Sequence, residues 1–70
     1  MLTQKKSKVM KLQINQIYRE NDLDKLGLFL LYCTGDRHVF QKDNQVYFFE
    51  EIKERSFRLY DVISKRSFFL

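Results

Sequence analysis

The chain has no alanine, no proline and no tryptophan, and holds only two glycines, one cysteine and one histidine. Alanine is the best helix former, so its absence removes the cheapest helical positions. One cysteine excludes an internal disulfide and agrees better with a reducing cytosol than with a secreted setting. Cys33 and His38 are the only soft ligands, too few for a structural metal site, so no metal and no cofactor is expected. Two isolated glycines cannot build a phosphate-cradling loop. Asp22 and Asp24 lack the 12-residue calcium-loop pattern ending in a bidentate glutamate. The longest apolar run, Leu28-Phe29-Leu30-Leu31-Tyr32-Cys33, is of strand length, so no segment is expected to span or enter a membrane. Lys5, Lys6 and Lys8 are not followed by the apolar stretch of a secretory signal, and the expected location is the cytoplasm.

What is present points to strands. Seven Phe and four Tyr lie among Val and Ile in 70 residues, and these side chains suit a pleated, half-buried surface. A chain of this size forms one domain and buries only about 60% of its unfolded surface. We expect a flexible basic arm over residues 1–9 and a single small β domain over residues 10–70. Leu12 and Ile14 alternate with polar neighbours, and the phase then slips to Ile17, which places a bend at Asn15. Residues 21–27 contain turn formers and end in Gly27, and read as a loop. Leu28–Cys33 reads as a central strand, apolar on both faces. Thr34-Gly35-Asp36-Arg37 and Lys42-Asp43-Asn44-Gln45 read as turns flanking a strand, with Val46–Phe49 as the next. Glu51 with Arg55, and Glu54 with Arg58, have helical spacing, so a short helical turn is expected near residues 50–55, the alternative being one long helix through residue 63 with Phe49, Ile52, Leu59 and Ile63 on one face. A strand follows over 57–63, then a turn at 65–67, and Phe68-Phe69-Leu70 docks on the core. The expected fold is mainly β: a four- to five-stranded antiparallel sheet, closed as a small barrel or left curled.

The stretch Ile14-Asn15-Gln16-Ile17-Tyr18-Arg19, followed by Gly27-Leu28-Phe29-Leu30-Leu31, resembles the opening of small SH3-like barrels, including short prophage proteins of unknown function. Asn15 stands where those proteins usually carry glycine. The resemblance spans roughly residues 12–60 and implies a binding module rather than an enzyme. It transfers no functional residue.

Cys33 and His38 flank a tight turn and face each other across the expected hairpin, with Asp36 nearby. A cysteine nucleophile needs a base, a group that orients the base, and a site that excludes water. A hairpin tip offers no such shelter, and the plainer reading is a turn in which Gly35 supplies φ > 0. Glu50, Glu51, Glu54 and Asp61 interleave with Lys53, Arg55 and Arg58, the pattern of a solvated, mutually neutralised face. No catalytic residue is assigned.

The net charge of +4 is unevenly spread. Residues 1–19 carry five basic side chains and no acid, whereas the rest carry eight basic and nine acidic ones. Lys5, Lys6, Lys8 and Lys11 are candidate phosphate contacts, with Arg37, Lys42, Arg58, Lys65 and Arg66 as further ones. Tyr18, Tyr32, Phe40, Tyr47 and Tyr60 are candidate stacking platforms for bases. The first functional expectation is a non-enzymatic binding module in nucleic-acid transactions, anchored by the arm. The alternative is a protein-binding adaptor or inhibitor that acts through apolar sheet edges around Leu28–Leu31, Phe48-Phe49 and Phe68–Leu70, including as a homodimer.

Overall fold

The computed structural model describes residues 12–69. Five strands and two short helices follow one another as β1 (Ile17–Arg19), α1 (Glu20–Lys25), β2 (Phe29–Thr34), β3 (Arg37–Lys42), β4 (Gln45–Lys53), β5 (Ser56–Ser64) and α2 (Lys65–Phe68). The strands form a single antiparallel sheet in the order β1-β5-β4-β3-β2. The fold is therefore mainly β, as expected. The sheet stays open, with β1 and β2 at its edges, so it takes the curled form rather than the closed barrel.

β2 to β5 are a meander of three tight hairpins. Each loop holds one residue in the left-handed region: Gly35 (φ 60°), Asp43 (φ 55°) and Arg55 (φ 61°). Asn15 at φ 72° makes the expected bend, and its N–H donates to Leu59 O at 2.6 Å. The bend lets the chain enter β1 beside β5, where Ile17, Tyr18 and Arg19 pair with Arg58, Phe57 and Ser56.

Residues 21–27 are not a loop. Arg19 N–H donates to the Asp22 carboxylate at 3.2 Å, which caps the start of α1. At the far end Gly27 adopts φ 82°. Gly27 N–H donates to Asp24 O at 3.0 Å and Leu28 N–H to Leu23 O at 3.1 Å. This is the Schellman closure, and it brings Leu23 and Leu28 together in the core. The expected helical turn at 50–55 is also absent. β4 continues to Lys53 because residues 50–53 keep pairing with β5, and only Glu54-Arg55 turn. The turn expected at 65–67 is instead the one-turn helix α2. Ser64 Oγ accepts the Ser67 N–H at 3.1 Å and so caps it.

Register assigns the faces. Tyr18, Phe57, Leu59, Phe49, His38 and Phe40 share one face, and Leu23 of α1 covers it. Phe49 lies at the centre, fully buried, with the rings of Phe40, Tyr18 and Phe57 at 5.4, 6.2 and 6.4 Å. Edge-on packing of this kind suits the ring quadrupoles. The opposite face carries Val39, Val46, Phe48, Glu50, Arg37 and Arg58. There Phe68 of α2 reaches Phe48 at 5.9 Å, so the C-terminal turn packs on this second face and not on the Phe49 core as expected; Phe69 remains exposed, and Leu70 lies outside the described residues.

Candidate protein-contact edge

The main correction concerns the strand at Leu28–Cys33. It is not central. Among the described residues β2 pairs only with β3, and no described strand lies along its other side. Phe29, Leu30 and Tyr32 are 67%, 44% and 49% exposed. A meander of hairpins places its first strand outermost, and β1, the one other described strand outside the meander, pairs with β5 instead. Pairing is Leu30 with Phe40 and Tyr32 with Val39, so Leu31 is an extra residue that bulges β2. Since β3 alternates regularly, Phe29, Tyr32 and Thr34 lie on the Phe48 face, and Leu30 and Cys33 on the Phe49 face.

Phe29–Thr34 has no charge and no proline. Natural edge strands are usually blunted with charge, proline or a cover, because unpaired N–H and C=O groups template further pairing. The bulge is the one blunting device that β2 carries. Sequence alone offers two readings of Phe29 and Leu30, a doubly buried central strand and part of an apolar contact edge, and the sheet order selects the edge.

The candidate cations do not converge. Lys5, Lys6, Lys8 and Lys11 lie outside the described residues. Arg37 stands on the Phe48 face. Its guanidinium donates to the Tyr60 hydroxyl at 3.1 Å and its carbon lies 4.9 Å from that ring centroid. The Tyr60 contact, aided by Glu50 and Asp36, holds the Arg37 pKa above its ordinary value. Arg58 shares the face but is bound to Glu50 at 2.7 Å and to Asn15 Oδ1 at 2.8 Å. Lys42 lies on the other face, five residues along β3 from Arg37, which is about 17 Å away. Lys65 and Arg66 line an open cleft of about 510 Å³ with Asn44, Ser64 and Phe69. Residues 12–69 hold nine basic and nine acidic side chains, so their net charge is zero.

Of the five candidate stacking aromatics, Tyr18 is buried and accepts the Gln13 N–H at 2.8 Å. Phe40 packs on Phe49 and Phe57 within the core. Tyr47 is half-buried and donates to Gln45 Oε1 at 3.0 Å; burial, helped by Asp43, raises its pKa. Tyr60 is engaged by Arg37. Tyr32 alone of the five is exposed.

Cys33 and His38 do pair across the β2–β3 hairpin. The imidazole packs against Phe57 at 4.8 Å, and Nδ1 is buried with no hydrogen-bond partner among the described residues. Asp36 faces Arg37 at 3.7 Å. No cluster of three metal-ligating side chains occurs among the described residues. No described helix is long and apolar enough to cross a membrane. No family model, curated protein or solved structure matches the chain.

Proposed function

We propose that this chain is a small non-enzymatic binding module that contacts extended protein segments through the β2 edge. The carrying observation is an uncharged, largely exposed strand with an unpaired side, Phe29–Thr34. Main-chain pairing gives affinity at such an edge, and alternate side chains give selectivity. The resemblance to small SH3-like barrels agrees with a contact role. The non-enzymatic reading is supported by the cysteine, which is exposed on a strand beside an imidazole packed on an aromatic ring.

A displayed library of extended peptides, selected on the full chain, supplies the probe. Selected peptides are expected to slow amide exchange at Leu30 and Cys33, and to lose binding to the Tyr32→Lys variant. Failure to enrich any peptide, or binders that leave both amides unprotected, would remove the reading.

A second reading rests on the charge distribution. Lys5, Lys6, Lys8 and Lys11 account for the entire +4 of the chain. In this reading they anchor nucleic-acid phosphates, with Arg37, Lys42, Arg58, Lys65 and Arg66 as secondary contacts. Binding of generic single-stranded DNA or RNA should then fall steeply with salt and vanish on deletion of residues 1–9. The absence of binding at low salt removes it.

A further inference from the structure

We infer that the segment taken up by β2 is β2 of a second copy of this chain, paired antiparallel about a two-fold axis normal to the sheet. This rests on the contact reading above and names its partner.

The hydrogen-bonding pattern defines which groups are free. The two-residue loop Gly35-Asp36 makes Thr34–Arg37 the hydrogen-bonded pair that closes the hairpin. Cys33–His38 is then a non-hydrogen-bonded pair, and the N–H and C=O of Cys33 point away from β3. On β3, Val39 bonds towards β2 and Phe40 towards β4, so Leu30 opposite Phe40 also points its N–H and C=O outward. The bulge thus spaces the two outward-pointing residues three apart instead of two.

That spacing makes β2 a match for itself. An axis between Leu31 and Tyr32 sets Leu30 opposite Cys33 of the second copy, and Phe29 opposite its Thr34. Leu30 and Cys33 share the Phe49 face, while Phe29 and Thr34 share the Phe48 face. Both of these facing pairs therefore fall on the same side of the joined sheet. A regular six-residue strand has no such symmetry about this axis, because its residues 2 and 5 point to opposite faces. The bulge, which would spoil pairing with a straight foreign strand, is compatible with a partner bulged at the same place. With no charge on Phe29–Thr34, two copies meet without like-charge cost along the strand.

The interface is small. Phe29, Leu30 and Tyr32 offer on the order of 300 Å² of exposed side chain per copy. A standard interface buries about 800 Å² per partner, so the dimer belongs to the weak class, with Kd on the order of 0.1 mM.

Sedimentation equilibrium of the full chain up to about 1 mM tests it, since with such a Kd about half of the chains are dimeric near 0.1 mM and most of them at 1 mM. The average mass should rise with concentration, and Tyr32→Lys, at a half-exposed position, should weaken association at least tenfold while the chain stays folded, its urea midpoint lowered by no more than about 1–2 M. The register is tested by Leu30→Cys. Its thiol should lie opposite Cys33 of the second copy with Cα atoms about 5.5 Å apart, within disulfide reach. Mild oxidation should therefore yield a covalent dimer, each bridge giving up two hydrogens to the oxidant. Leu30→Cys/Cys33→Ser should yield none, because its two introduced thiols are offset along the strands by about 10 Å. A wild-type chain that stays monomeric to 1 mM, or equal cross-linking of both variants, overturns self-pairing. If that monomer still binds selected peptides at the Leu30 and Cys33 amides, the contact reading stands without the self-pairing. If peptide binding fails as well, both are lost.

Discussion

Phenylalanine-to-alanine exchange at two positions separates the part of this chain that holds the fold from the part that faces outward. Phe49 is fully buried and touches three other aromatic rings. Truncating such a ring costs about 3–5 kcal/mol, from lost transfer free energy plus the cavity left behind. At about 0.05–0.15 kcal/mol per residue, a domain of this length has roughly 4–10 kcal/mol in total. Phe49→Ala therefore removes much or all of the stability. At Phe29 only the buried third of the ring contributes to folding. Full burial of such a side chain stabilises by about 1.5–3 kcal/mol, so Phe29→Ala should cost about 0.5–1 kcal/mol. Urea unfolding followed by far-UV circular dichroism reads both. With a slope of about 1 kcal/mol per M, Phe29→Ala should lower the midpoint by under about 1 M, and Phe49→Ala by about 3 M or more. A Phe49→Ala chain that unfolds near the wild-type midpoint would refute the core described here. Equal losses at the two positions would refute the exposed edge, since Phe29 would then be buried in solution.

The Gly27 position tests the α1 closure: a Cβ there meets nothing within 4 Å, so Gly27→Ala should cost about 1–2 kcal/mol from the left-handed backbone alone. Gly27→Asn should recover part of that loss in the same urea assay, and an Ala variant as stable as wild type would contradict the φ of 82°. Tyr47 has a raised pKa through burial, so the fold favours its protonated form. Below its ordinary 10.0 this has no effect on stability; as pH rises through 10.0 the unfolded chain releases the proton first and stability falls. Tyr47→Phe should therefore unfold less steeply with alkaline pH, and identical slopes would count against the burial of the hydroxyl. The Arg58–Glu50 pair is partly solvated, so a double-mutant cycle with Glu50→Gln and Arg58→Gln should return about 0.5–1 kcal/mol of coupling that shrinks in salt. A coupling of zero at low salt would make the pair incidental.

Strand chemistry was legible because Phe, Tyr, Val and Ile cluster between short polar loops. The bend at Asn15 and the loops at Gly35 and Asp43 followed from residues that tolerate positive φ. The helix α1 did not, because Asn, Asp and Gly signal both turns and helix ends. Asp22 and Gly27 have the chemistry of loop formers, yet here they close the two ends of a one-and-a-half-turn helix. The charge spacing at 50–58 misled for a different reason. Glu51 and Arg55 do meet, but across a hairpin turn, where the Arg55 N–H donates to the Glu51 carboxylate at 3.3 Å, and Arg58 pairs with Glu50 across β4 and β5 instead of with Glu54. The contact edge was the hardest feature to read. Six apolar residues describe a buried strand equally well, and among the described residues it is the pairing of β1 with β5 that leaves β2 at the edge. The scattering of Arg37, Lys42, Arg58, Lys65 and Arg66 was likewise set by strand register, which composition does not encode.

The equal tally of nine acids and nine bases over residues 12–69 bears on how this material behaves in a tube. Residues 12–69 lie close to their own isoelectric point at neutral pH, so colloidal repulsion between molecules comes almost wholly from the lysines ahead of Leu12. A chain that begins at Leu12 should have its solubility minimum moved down towards physiological pH and cloud at concentrations the intact chain tolerates.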